Sequence, residues 1–281
     1  MNAPLRIAIL DLYNGHPNEG MRCIKALVQE FREHDAPDAD VRLFDVRQHH
    51  AVPDAADFDV FISSGGPGDP LDTAGWGPAY FGLIDDLLAL NESGSGKKFL
   101  FLICHSFQMV SHHLRVGEIT KRRSTSFGTF PMHKTEAGER ERYFETLPEP
   151  FFAVDSRDYQ LIQPDETRLA ELGAEILCLE KDRPHVALER AVMAIRFSPE
   201  VFGTQFHPEA DAEGMLRYFE KPEKREQVIS VHGPDKYEEM VAHLNDPDKI
   251  LLTESAIIPS FLRHAHGVLR SVTNFSQMTT D

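Results

Sequence analysis

The chain has 281 residues, of which 41% are hydrophobic and 26% charged, and it carries a formal net charge of −16. This length can bury a sizeable core without staples, and this composition excludes disordered, collagen-like and disulfide-scaffold classes. A surface this acidic repels phosphate backbones and anionic lipid, which argues against nucleic-acid and membrane partners.

Arg6–Tyr13 (RIAILDLY) is a short branched apolar run ending in a turn-rich segment, and it predicts a buried strand. Asn18–His34 follows with apolar residues at Met21, Ile24, Leu27, Val28 and Phe31, the spacing of an amphipathic helix. Val41–Val46 and Val60–Ser63 predict two more strands, Tyr80–Leu90 a helix, Phe99–Ile103 a fourth strand and Ser106–Leu114 the helix after it. Strands alternating with helices imply parallel strands joined by right-handed crossovers. The expected fold is α/β: a doubly wound, mostly parallel sheet flanked by helices.

The middle, Val116–Ala187, is broken by Pro, Gly and charge and predicts strands and excursions at one sheet edge. Within it, Lys121-Arg122-Arg123 reads as a solvated basic loop, with contact to an anionic substrate or partner as the alternative. Val192–Phe197 and Val201–Phe206 predict two further strands. Beyond Pro208 the pattern turns helical at Ala212–Phe219, Asp235–Leu244 and Glu254–Leu269, while charged Pro222–Gln227 reads as a linker or loop.

The three cysteines, Cys23, Cys104 and Cys178, form no disulfide framework. The opening residues MNAPLRIAIL lack a basic-then-apolar leader, and no run approaches the roughly 18 apolar residues of a membrane span. The expectation is a soluble protein of the reducing cytoplasm. His112-His113 diverge on a helix, His264 and His266 do not share one helix face, and H-E-x-x-H and C-x-x-C are absent, so no metal site is expected.

In an open parallel sheet, ligands bind beyond the carboxyl ends of the strands. Four unusual segments fall at such ends: Asn14–Gly20, Gly65–Pro70, Cys104–Gln108 and His207–Glu209. Cys104 lies between an apolar strand (FLFLI) and a helix. There the helix dipole and free N–H groups favour the thiolate, and the N–H of His105 can face a developing oxyanion. Cys23 and Cys178 sit in periodic apolar stretches and read as core thiols. Cysteine chemistry needs a base whose ring is oriented, usually by a carboxylate. His207 and Glu209, two apart on an extended segment, point to one side. The Gly65-Gly66-Pro67-Gly68 turn can aim backbone amides inward; it lacks the G-x-x-x-x-G-K-[ST] pattern of a phosphate loop. Asn14, His16 and Asn18 stand where a second substrate would be contacted.

Taken together, Ser64–Pro70, Ile103–Gln108 and Gly203–Glu209 (GTQFHPE) resemble, in order, the three signatures of class I glutamine amidotransferase domains. The nearest likeness is to the amidotransferase domain of GMP synthase, and Lys121–Gly128 and Ser156–Asp158 are also similar to its segments. The resemblance implies a 1–215 amidotransferase-like domain and a helical C-terminal extension, 216–281, packed on it. It implies that Cys104 attacks the glutamine side-chain amide to form a glutamyl thioester. His207 would act as acid and base, Glu209 would orient it, and the amides of Gly66 and His105 would form the oxyanion hole. Gln108 would hold the substrate. No cofactor is implied. A synthetase or other ammonia acceptor would act in trans, and the tail could pack beside the site, bind a partner or form a homodimer. The chain departs from the usual G-x-C-x-G pattern at Leu102 and Ser106. A second family with a Cys-His-Glu triad, the homoserine O-acyltransferases, also carries a bulky residue two before the cysteine. Phe127–Phe130 and Ser156-Arg157 weakly resemble its segments, and that resemblance implies that Cys104 accepts an acyl group from acyl-CoA and passes it to a hydroxyl. A third reading, motivated by Leu102, Ser106 and the long tail, is a non-catalytic member of the fold.

Overall fold

The structure is a computed structural model that describes residues 4–94, 96–185, 187–244, 246 and 249–278. The chain runs β1 (Arg6–Asp11), α1 (Glu19–His34), β2 (Asp40–Asp45), β3 (Val60–Ser63), α2 (Gly77–Ser93), β4 (Phe99–Ile103) and α3 (His105–His113). It continues through β5 (Glu118–Lys134), α4 (Glu136–Glu139), β6 (Phe151–Ile162), α5 (Glu166–Leu172), β7 (Glu175–Glu180), β8 (Val192–Arg196) and β9 (Val201–Thr204). Four helices close it: α6 (Ala212–Phe219), α7 (Pro222–His232), α8 (Pro234–Leu244) and α9 (Ile250–Met278).

Among the described residues, one nine-stranded sheet has the order β2-β1-β3-β4-β9-β8-β7-β5-β6. Every pair from β2 to β9 is parallel. Every pair from β9 to β6 is antiparallel. The antiparallel half curls back, so that Val154 of β6 makes an isolated bridge with His207 beyond β9.

Alternation along the buried strands feeds two cores, one per face. Ile7, Ile9, Phe99, Phe101 and Ile103 pack against α1 and against Ile257, Ile258, Phe261 and Leu262 of α9. Ala8, Leu10, Leu100 and Leu102 face the other way, onto Leu83, Ile84 and Leu87 of α2 and Phe107 and Val110 of α3. Helices therefore cover both faces, as the alternation of elements implied.

Two expectations need correction. Pro222–Gln227 is the start of helix α7, not a linker. Its Pro occupies the first turn, where a missing N–H costs nothing, and of its described residues only Val228 is buried, so the segment carries almost no apolar periodicity. Arg122 is not solvated: its guanidinium donates to Gln160 Oε1 (2.6 Å) and pairs with Glu180 (3.2 Å). No helix of the described residues is long and apolar enough to cross a membrane.

Candidate active site

Cys104 joins β4 to α3 with φ 48° and ψ −95°. A residue with a Cβ is disfavoured there and persists only where its surroundings over-determine it. The Cys104 N–H donates to Thr204 O at 2.7 Å and its carbonyl accepts from Gln108 N at 2.9 Å. Ser106, at one of the departing motif positions, is part of the clamp. Its hydroxyl accepts from the Ile103 N–H (2.8 Å) and donates to the Ser63 carbonyl (2.8 Å), tying β3 to the β4–α3 corner. Leu102, at the other, points into the α2/α3 core beside Phe107. Its strand partner is Gly203, and a Cβ there would stand 2.8 Å from the Phe107 ring and 3.2 Å from the Leu102 Cβ. Gly203 thus leaves room for Leu102 away from the sulfur.

The sulfur stands at the N-terminus of α3. Gln205 Nε2 lies 3.6 Å from it and the Ser156 carbonyl 3.7 Å. Gln108 is buried, and its Nε2 donates both to Tyr159 O and to Gln205 Oε1, each at 3.0 Å. Both amide hydrogens are engaged, so Gln108 faces the cavity as an acceptor through Oε1.

Beyond β9 the chain stays extended because His207 N–H donates to Val154 O at 2.8 Å. His207 Nδ1 meets Glu209 Oε1 at 2.8 Å, and the ring and Cys104 line the same cavity, both beside Gly65. Burial opposes a charge on His207, but Glu209 and Cys104 outweigh it and hold the ring's pKa well above its ordinary value. Glu209 is fully buried, and among the described residues its Oε2 has no hydrogen-bond partner. It is therefore bound to the fold chiefly through His207.

The glycine turn after β3 is held from both sides. Ser64 Oγ accepts from Leu12 N–H (2.9 Å) and donates to Gly65 O (2.8 Å). Arg47 donates to Pro67 O (2.7 Å) and Leu12 O (3.2 Å). A Cβ at Gly66 would come within 2.6 Å of the Leu12 carbonyl oxygen, and one at Gly65 within 3.0 Å of the His207 ring. These positions require the close approach that only glycine permits. Among the hydrogen bonds of the described residues, none uses the backbone N–H of Gly66 or His105. The His105 side chain is no base: burial pushes its pKa down to about 3, and its Nε2 is unpartnered.

A cavity of about 710 Å³ contains residues of all four expected rim segments, among them His16, Gly66, Cys104 and His207. It also contains residues that the sequence reading did not place there: Tyr13, Tyr159 of β6, Met215 and Tyr218 of α6, and Val228 of α7. Arg157 lines it too, buried and paired with Asp155 (2.9 Å) and Glu180 (3.5 Å). The Asp155-x-Arg157 spacing, which puts both side chains on one strand face, was the available signal.

The fold has solved counterparts. A glutamine amidotransferase from Thermotoga maritima is 13% identical, covers 94% of this chain and 99% of its own, and superposes with a TM-score of 0.67. A glutamine amidotransferase from Methylobacillus flagellatus is 16% identical, covers 92% and 93%, and gives 0.63. The glutaminase domain of Trypanosoma brucei CTPS with bound acivicin is 12% identical, covers 73% and 86%, and gives 0.51. Identities this low speak for the fold alone. No curated protein matches the chain in sequence. The model of the glutamine amidotransferase class-I family matches residues 18–221, well over half of the chain, and the chain belongs to that family.

Proposed function

We propose that this protein hydrolyses the γ-amide of glutamine through Cys104, His207 and Glu209. The observation that carries the reading is one linked unit. A cysteine sits in a strained strand-to-helix corner and shares a cavity with a histidine whose Nδ1 meets a buried glutamate at 2.8 Å. Glu209 sets the tautomer and orientation of His207, which leaves the opposite ring nitrogen for the sulfur. The raised His207 pKa favours an imidazolium beside the Cys104 sulfur, so the proton that the leaving group needs is in place before substrate arrives.

Cys104 sulfur attacks the γ-carbonyl carbon, and the unengaged N–H groups of Gly66 and His105 receive the oxyanion. Each such donor is worth about 3–4 kcal/mol in the transition state. His207 gives its proton to the departing ammonia, a glutamyl thioester remains, and His207 then takes a proton from the attacking water. Gln108 accepts from the substrate ammonium through Oε1. The ammonia serves a synthetase or other acceptor enzyme in trans, and the reaction is placed in the cytoplasm, where the three free, buried cysteines stay reduced.

A glutamine-analogue electrophile tests the reading without a partner. One adduct on the Cys104 peptide, absent from Cys104→Ala, is the expected mass spectrum. Labelling that persists in Cys104→Ala, or that falls on Cys23, overturns the assignment. CoA release from acyl-CoA with homoserine, dependent on Cys104, would instead favour acyl transfer.

A further inference from the structure

We infer that the substrates of this site are γ-glutamyl amides of primary amines bearing an aromatic or apolar group, a proposal that rests on the Cys104 chemistry above. Cavities of about 300–1,000 Å³ enclose drug-sized ligands. At about 710 Å³ this one exceeds what free glutamine needs.

Strand β6 gives the cavity a direction. Its Tyr159 carbonyl binds Gln108 Nε2 at 3.0 Å, its Ser156 carbonyl lies 3.7 Å from Cys104 Sγ, and its Val154 carbonyl binds the His207 N–H at 2.8 Å. Cys104 and Gln108 are one helical turn apart, and four residues at about 1.5 Å each match a glutamyl group whose side-chain carbonyl carbon meets the sulfur and whose ammonium reaches Gln108. Whatever the amide nitrogen carries must then extend towards His207, because His207 protonates that nitrogen.

On that side the wall is apolar. Val154, Met215 and Val228 are buried members of a separate apolar cluster that α6, α7 and α8 build over β5 and β6, and all three line the cavity. Phe127, cross-strand from Ser156, packs its ring against Tyr218 at a tilt of 49°, with ring centroids 5.3 Å apart. The carboxylates at this rim are already paired, Asp211 with Arg22 (2.6 Å) and Glu19 with Arg217 (2.9 Å). A cationic leaving group finds no unengaged partner in these two, whereas a benzyl-sized group finds an apolar surface that ammonia would leave empty.

The chemistry balances as a hydrolysis. Cys104 sulfur bonds the side-chain carbonyl carbon, the C–N bond breaks, and the proton held by His207 passes to the amine, which leaves. Water oxygen then bonds the same carbon and the C–S bond breaks. One water proton returns through His207 to the sulfur, and the product is glutamate.

The test compares γ-glutamyl-benzylamide with glutamine on the full chain, reading benzylamine and glutamate. Apolar pocket contacts discriminate by about tenfold or more, so kcat/KM for the benzylamide is expected to exceed that for glutamine by at least that factor. Cys104→Ala should abolish both reactions. Tyr218→Glu and Tyr218→Ala should lower the benzylamide-to-glutamine ratio, the first by about fivefold or more, with circular dichroism and Cys104 labelling showing that each variant is folded. Glutamine cleaved as well as the benzylamide, or a ratio unmoved in both folded Tyr218 variants, overturns the inference and leaves the glutaminase reading standing. Neither compound cleaved and no Cys104 adduct overturns both. Benzylamide cleaved with glutamine inert supports the inference and removes free glutamine as the substrate.

Discussion

Replacing Cys104 by glycine and by alanine separates backbone strain from chemistry. Both variants lose the sulfur and its contacts with Gln205 and the Ser156 carbonyl, so those losses cancel in the comparison. At an unstrained buried site glycine would be the weaker of the two. It costs about 0.5–1 kcal/mol in chain entropy and about 0.8 kcal/mol for the lost buried methyl, which puts it about 1–2 kcal/mol below alanine. At φ 48° and ψ −95° a side chain adds about 1–3 kcal/mol of strain that glycine does not feel. The gap should therefore close, or invert to as much as about 1.5 kcal/mol in favour of glycine. Urea unfolding at neutral pH reads this directly, as the midpoint difference multiplied by the common slope. Glycine more than about 1 kcal/mol below alanine would show that the corner stores no strain, and the argument that the fold holds Cys104 in a conformation it would otherwise leave would fail.

Glu209→Gln removes the charge that holds His207 protonated against burial. Because the folded pKa of His207 is raised, its charge adds stability that is complete below the unfolded value of about 6.5 and is lost as pH rises through the folded value. The stability difference between wild type and Glu209→Gln should accordingly be widest near pH 6 and narrow as pH climbs; a difference that does not change with pH contradicts the assignment. Ser106→Ala strands the buried Ile103 N–H, and an expected loss of about 1–3 kcal/mol should appear in the same urea titration; a loss below about 0.5 kcal/mol would mean the clamp is not made. Gly66→Ala drives a methyl towards the Leu12 carbonyl and should displace the oxyanion donor, lowering kcat about 10²–10³-fold with KM little changed. An unchanged kcat would take Gly66 out of that role.

The parallel half of the sheet was legible because both of its faces are buried. Strands such as Phe99–Ile103 have no solvent face to encode and read as unbroken apolar runs. The residues at their carboxyl ends stood out for the complementary reason, being polar or small where the pattern stops. The antiparallel half was opaque. β5 alternates poorly over its 17 residues, shifts register between Lys121 and Ser126, and turns part of one face to a cavity. Arg157 could not be read as buried, because the glutamate that helps to neutralise it, Glu180, comes from another strand. The wall made by α6 and α7 was missed because α7 opens on charged residues and its apolar residues, Val228, Ile229 and Val231, are bunched at its end, too few to show a helical period.

The topology explains why the proposed nucleophile and base need no loop to bring them together. β9 pairs in parallel with β4 and antiparallel with β8, so it is the strand at which the sheet changes sense. Ile103 stands opposite Thr204 in that ladder, and the residues that leave the two strands emerge side by side. Their backbones stay tied there, Cys104 to Thr204 and His207 to Val154. Beneath them the two strands share one aromatic layer, with the ring of Phe101 of β4 tilted against Phe202 of β9 at 5.4 Å and edge-to-face with Phe261 of α9 at 5.1 Å. The C-terminal helix therefore packs under the strands whose spacing sets the distance between Cys104 and His207. A substitution at Phe261 acts on catalysis through that spacing and not through the rim, and it should lower turnover of large and small amides alike, unlike a change at Tyr218.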